Sequence, residues 1–161
     1  MTRWLTICAA LSVTVASAAG AQDIPAEYQQ VLTALGNTRD PEAYVAVCDP
    51  RIELHSSVTV PGGAVYRGHD GVRRWHRDLE DVFGEEIRLE ADAYFDLGER
   101  TMSFHILRGR GRKSGAEVAE PFAHVIGWHD GLIVSFKGYA HREDALTDLG
   151  VLEDELDPIA P

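Results

Sequence analysis

The chain reads as a single α+β domain, with helices gathered at its start, strands after them and one short helix near its end. Three observations carry this reading. Apolar residues recur at helical spacing twice in the first half, at Tyr28, Val31, Leu32 and Leu35 and again at Val72, Trp75, Leu79 and Val82. The second half holds long runs rich in β-branched, aromatic and alternating residues. Turn segments that each contain glycine separate those runs. The expected arrangement packs the helices on one face of a mostly antiparallel sheet.

In chain order, Tyr28 to Leu35 forms a first helix, which Gly36-Asn37 ends. Asp40-Pro41 starts a second: the aspartate supplies a capping oxygen, and proline fits the first turn. Tyr44 and Val47 continue its apolar face, and Asp49-Pro50 stops it. Arg51 to His55 reads as a short strand. Residues 56–65 hold serine, proline and glycine and read as a loop or irregular hairpin. A third helix follows Gly68, with Asp70 favourable near its positive end. Strands are expected over Glu86 to Phe95, Thr101 to Arg110, Ala116 to Trp128 and Leu132 to Ala140. Asp96-Leu97-Gly98-Glu99, Arg112-Lys113-Ser114-Gly115 and His129-Asp130-Gly131 turn between them. A last helix runs from Arg142 to Leu149, and Gly150 suits its left-handed cap.

The 161 residues, 45% hydrophobic and 25% charged, suffice for one domain with a real core. A net charge of −11 argues against nucleic acid as a partner, since little here would neutralise phosphates. The basic run Arg108 to Lys113 reads as a solvated hairpin. Residues 1–21 read as a secretory signal peptide: Arg3 is the only charge, Trp4 to Ala18 is apolar or small, and Ala19-Gly20-Ala21 fits a cleavage site before Gln22. That divides the chain into a signal over 1–21, a domain over 22–152 and a frayed acidic tail over 153–161, and places the mature protein in the periplasm or outside the cell. The competing reading is a mis-assigned start ahead of a cytoplasmic protein. The apolar run is too short and polar for a membrane span, and none is expected after cleavage. Cleavage leaves Cys48 as the single cysteine, expected to pack as a small apolar side chain.

Three segments in fixed order carry a resemblance. They are Tyr66-Arg67-Gly68-His69-Asp70-Gly71 before the third helix, Trp128-His129-Asp130-Gly131-Leu132-Ile133-Val134, and Ala145-Leu146-Thr147-Asp148-Leu149-Gly150-Val151. Together they resemble the SnoaL-like branch of the NTF2-like superfamily, over roughly Glu27 to Val151. The resemblance implies a cone: a curved, mostly antiparallel sheet and three N-terminal helices enclosing one apolar pocket, with a short C-terminal helix. It leaves activity open, because the superfamily contains isomerases, cyclases, epoxide hydrolases, dehydratases and non-catalytic members. Against its ketosteroid isomerases, His55 stands where the general base is a carboxylate, His124 where a protonated carboxylic acid holds the oxyanion, and Val31 where a tyrosine donates. Steroid isomerisation is therefore not carried over. Limonene-epoxide-hydrolase chemistry is not carried over either, because the acids that would flank Arg108 are missing.

Strand alternation gives an independent view of the pocket. His124, Ile126 and Trp128 share one face of their strand, Phe136 and Gly138 share one face of the next, and Met102, Phe104, Ile106 and Arg108 share one face of the strand before. With Trp75 and Leu79 opposite, these side chains outline an aromatic and aliphatic cavity for a small apolar molecule. Gly138 leaves room in its wall. His55 and His124 are its polar points and its candidate acid–base pair, since an imidazole titrates near ~6.5. The alternative is two structural histidines. Arg108 stands either inside, beside a carboxylate such as Glu120, or solvated at the rim. His105 and His129 read as exposed. Leu107, Val125 and Tyr139 read as an outer face that pairs two copies into a homodimer. The seven histidines show no zinc spacing, and no dinucleotide or phosphate glycine motif is present, so neither metal nor cofactor is expected. Three functions stay open: a cofactor-independent isomerase, cyclase or hydrolase; a small-molecule binding protein; and an interaction module.

Overall fold

The structure, a computed structural model, describes residues 40–84 and 87–158. The signal-like segment, the expected helix from Tyr28 to Leu35 and the last residues of the tail lie outside the described residues. Helix α1 spans Pro41–Val45. Asp40 Oδ1 accepts the Glu42 amide at 2.9 Å, and Pro41 occupies a first-turn position where an amide would have no partner. The helix ends sooner than its apolar pattern suggests, because Cys48 already pairs with Ile133 in the sheet.

Strand β1, Cys48–Ser56, is longer than expected at both ends. Strand β2, Ala64–Arg67, folds back on it antiparallel, with Ser56 opposite Ala64 and Glu53 opposite Arg67. The stretch expected as a loop or irregular hairpin is thus a hairpin with a wide tip. Helix α2, Gly68–Phe83, follows directly and buries Val72 and Trp75, as their spacing predicts. Its first turn is tied down: His69 Nε2 is hydrogen-bonded to the Cys48 carbonyl at 3.0 Å, and Arg73 reaches Glu42 at 2.6 Å on α1.

The remaining strands are β3 (Arg88–Asp96), β4 (Arg100–Arg110), β5 (Glu117–His129) and β6 (Leu132–Tyr139). Between β5 and β6, Asp130 and Gly131 both take positive φ, 48° and 74°, which a two-residue turn matched to strand twist requires. The six strands form one curved sheet in the order β2-β1-β6-β5-β4-β3. Four pairings are antiparallel; β1 and β6 run parallel, so the sheet is mixed. A parallel neighbour needs a long crossover, and everything between β1 and β6 supplies it.

Both faces of the sheet are covered. On one, Tyr44, Ile52, Leu54, Val72, Ile126 and Phe136 pack with α1 and α2. On the other, Phe95, Met102, Phe104, Val125 and Tyr139 pack beneath α3, Arg142–Leu149, through Ala145. Gly150 caps α3 at φ 68°, ψ 33°, as expected. Polar contacts fasten the helix. The Tyr139 hydroxyl donates to Asp148 at 2.5 Å, Lys137 meets the same carboxylate at 2.7 Å, and Arg142 pairs with Asp92 while lying 4.7 Å above the Phe104 ring. Leu156, in the segment expected to fray, packs on the same cluster.

This corrects the expected dimer face. Val125 and Tyr139 are buried because α3 returns across the outer face, and Leu107 is buried on the opposite side of the sheet. Helical periodicity located α3 in the chain but held no information on where it docks.

Ala145 is fully buried, so Ala145→Asp places an unpaired carboxylate under α3. A loss of ~2–4 kcal/mol is expected in urea unfolding, with increased binding of a hydrophobic dye as the outer face opens.

Candidate functional site

The register of β4 against β5 decides which side chains share the space beneath α2. Ser103 lies opposite His124, His105 opposite Phe122 and Thr101 opposite Ile126, and directly opposed residues point to the same side of a sheet. Ser103, His105 and Leu107 therefore face the helices together with Phe122, His124 and Ile126. Tyr44, Trp75 and Leu79 close the space from above, Phe136 and Gly138 from β6, and Ile87, Arg88 and Leu89 from the start of β3. Ser56 and Val58, at the end of β1 and just beyond it, complete the lining. The enclosed cavity measures about 60 Å³. That holds a few waters or a compact organic group, and is well below the ~150 Å³ that admits benzene.

Six of the expected residues line this cavity: His124, Trp75, Leu79, Ile126, Phe136 and Gly138. Five others do not. His55 points away, because Ile52 and Leu54 are the fully buried members of β1 and His55 has the opposite parity. Its side chain is 40% exposed and its Nε2 meets Glu53 at 2.6 Å. Phe104, Ile106 and Arg108 belong to the outer face of β4: Phe104 packs edge-on against Phe95 at 5.1 Å, and Arg108 is solvated and paired with Glu90 at 2.6 Å rather than Glu120. Trp128 lies beyond a register shift after Gly127, packs on the edge of the helix-side core and donates its indole N–H to Thr101 at 3.0 Å. His55 and His124 are not brought together.

Sequence reasoning missed Ser103 and His105. His105, expected to be exposed, is buried at 1%. The parity of β4 is ambiguous from composition because residues on both of its faces are buried from Thr101 to His105. The turn between β4 and β5 held the missing signal. With Arg110 opposite Glu117, counting inward places Ser103 opposite His124. Gly138 faces Phe122 so closely that an added Cβ would stand 2.9 Å from its ring. The room expected at Gly138 is filled by that ring.

The profile of the SnoaL-like domain matches residues 28–136. The chain belongs to the SnoaL-like domain family. Solved structures of similar fold include an NTF2-like protein of unknown function from Burkholderia pseudomallei, at 21% identity and a TM-score of 0.63, covering 74% of this chain and 94% of that one. A protein with a ketosteroid isomerase-like fold from Catenulispora acidiphila, in complex with trimethylamine, aligns at 15% identity and 0.64, covering 84% and 98%. A putative SnoaL-like polyketide cyclase from Jannaschia sp. aligns at 13% and 0.62, covering 81% and 96%. No curated protein sequence matches.

In this SnoaL-like protein the polar pole of the cavity is a pair of adjoining imidazoles, tilted by 54° to one another. The His105 and His124 rings lie 4.9 Å apart, and His124 is further enclosed by Phe136 at 4.6 Å and Phe122 at 4.9 Å. His105 Nε2 is hydrogen-bonded to Ser103 Oγ at 2.7 Å, while its Nδ1 is buried without a partner among the described residues. Burial drives the His124 pKa well below that of a free imidazole, and the neighbouring His105 lowers it further. Burial also takes His105 down to about 4, with Arg142 assisting and Asp92 opposing. Both rings are neutral near pH 7, each with one donor and one acceptor. Cys48 is buried elsewhere in the core, and burial pushes its thiol up to about 12, so it stays protonated. Among the described residues no three potential metal-ligating side chains come together.

The histidine shifts make stability depend on pH. In the unfolded chain His105 titrates near ~6.5 and binds more protons than in the fold, where it titrates near 4. Stability should fall as pH drops through that window, by ~3 kcal/mol for His105, with His124 acting in the same direction. His105→Gln should flatten the dependence of the urea midpoint on pH between those values. Gly138→Ala forces the Phe122 ring to move, and a cost of ~1–3 kcal/mol is expected in the same assay at neutral pH.

Proposed function

We propose that this protein binds a small, largely apolar molecule in the cavity beneath α2, with His124 making the hydrogen bond that orients it. The observation that carries the reading is a neutral imidazole in an otherwise aromatic and aliphatic wall, with Phe122, Phe136 and His105 around its ring. Apolar walls supply the driving force, and one polar group selects among ligands of similar shape. A neutral imidazole accepts from a hydroxyl or donates to a carbonyl without a buried charge. The trimethylamine held by one protein of similar fold is likewise a compact molecule.

A second reading is cofactor-independent isomerisation or cyclisation, with His124 as proton acceptor. It is favoured by the Ser103–His105 hydrogen bond beside that ring, which adds a further proton-carrying pair to the same wall. Against it stands the depressed basicity of both rings. A general base works best with a pKa near the working pH, and burial moves these away from it. Catalysis would need a substrate whose developing negative charge restores basicity to His124.

Acetone is a suitable neutral probe, followed through the imidazole NMR signals. Binding should shift the His124 ring signals, and His124→Leu should weaken it by roughly two- to tenfold, the worth of one hydrogen bond. Leu79→Trp, which fills the cavity, should abolish it. Unshifted His124 signals at saturating probe would refute the assignment. Should a substrate emerge, a catalytic His124 would cost roughly 10²–10⁴-fold in rate when replaced.

A further inference from the structure

Most residues that line the cavity are buried. Those that reach solvent are Val58, Leu79, Ile87 and Leu89, together with Arg88, which stands opposite Arg108 on the outer face. The mouth therefore lies between the tip of the β1–β2 hairpin, the second half of α2 and the start of β3. Helix α2 and strand β3 are held there by helical and ladder hydrogen bonds. The tip, Ser57 to Gly63, lies outside both strands, and its turn closes on itself through the Gly63 amide on the Val60 carbonyl at 3.0 Å. Val58 continues the inward parity of Ile52, Leu54 and Ser56 and lines the cavity, whereas Val60 is 40% exposed.

Among the described residues a single side-chain hydrogen bond ties the tip to the rest of the protein. The buried Thr59 places its hydroxyl 2.9 Å from the Tyr66 hydroxyl, which lies 2.7 Å from Asp78 on α2. A phenol carries one proton. The carboxylate takes it, so Thr59 donates in turn to the Tyr66 oxygen. Tyr66 itself is fixed: it is buried, pairs with Leu54 and has the Arg74 guanidinium 5.2 Å above its ring.

We propose that the hairpin tip is the gate of the cavity, with Val58 as its plug and the Thr59–Tyr66–Asp78 relay as the latch that holds it shut. This rests on the binding function proposed for the same cavity and names how its ligand comes and goes. Lifting the tip breaks one hydrogen bond and uncovers one valine. Gly62 and Gly63, at φ 84° and 82°, supply the backbone freedom at its β2 end. Moving α2 or β3 instead would break a run of backbone hydrogen bonds, so the tip is the wall that opens most readily. Thr59 does not line the cavity, so the latch governs rate without touching the ligand.

Acetone is the probe. Relaxation dispersion of the His124 ring signals gives its exchange rate, and their titration gives its dissociation constant. Thr59→Val keeps the shape of the side chain and removes the latching proton. It should raise the association and dissociation rates together by roughly three- to tenfold, the worth of one hydrogen bond, and leave the dissociation constant unchanged. Thr59→Ser keeps the hydroxyl and should exchange like the native protein. If Thr59→Val does not fold, Tyr66→Phe cuts the same relay from its other side and should give the same acceleration. A native exchange rate in the latch variant would overturn the inference and leave the pocket assignment standing. Weaker binding without faster association would also overturn it, since the tip would then act only as wall. An equal acceleration in Thr59→Ser would do the same, because packing and not the latch would then set the rate. If acetone moves no His124 signal, the binding function and this inference fall together.

Discussion

The antiparallel ladder from Arg100 opposite Gly127 to Arg110 opposite Glu117 is buried on both of its faces from Thr101 opposite Ile126 to His105 opposite Phe122. In a strand covered on one side, hydrophobicity dictates which residues turn inward. In β4 it does not: Met102 and Phe104 are as buried on the α3 side as Ser103 and His105 are on the α2 side. The cavity owes its polar content to this arrangement. A slip of one residue would send Ser103 and His105 under α3 and bring Met102 and Phe104 to the cavity. The turn from Gly111 to Ala116, closed by the Gly111 amide on the Ala116 carbonyl at 2.9 Å, holds the register.

The same two-sided burial sets the electrostatics. Imidazoles with aromatic and apolar neighbours lose their hydration and stay neutral, and His105 depresses its neighbour His124 further. The protein accepts an unpartnered His105 nitrogen, which costs ~1–3 kcal/mol, in exchange for a polar patch at the centre of an apolar wall. Carboxylates are kept on the outer rim and on the far face, where Glu53, Glu90, Asp92 and Asp148 each meet a cation. Among the described residues charge is thus arranged by layer: acids outside, and none lining the cavity.

Helix α3 has a weakly amphipathic sequence; Ala145, Leu146 and Leu149 seat it on the sheet, and polar contacts to Asp92 and through Asp148 flank it. Its role is to cover the outer face that would otherwise present Val125, Phe104 and Tyr139 to water. The covered face and the cavity share the central strands β4 and β5, although no residue of α3 lines the cavity. The Arg142 guanidinium, 4.7 Å above Phe104, also helps to keep His105 neutral on the opposite side of the sheet.

Local chemistry was readable in the chain. The Asp40-Pro41 cap, the period of Val72, Trp75 and Leu79, the Asp130-Gly131 turn and the Gly150 cap each depend on residues close in sequence, and each appears as read. His55 was readable too, since Ile52 and Leu54 already assign the inward parity of β1; superfamily alignment pointed the other way, and side-chain burial overrides it. The order of segments sufficed for the SnoaL-like fold, which rests on their succession and not on one contact. Tertiary structure alone decided the parallel seating of β1 beside β6, the docking of α3 and the side of β4 that meets the cavity. These are pairings between distant parts of the chain, where either choice buries apolar side chains and only the assembled packing separates them.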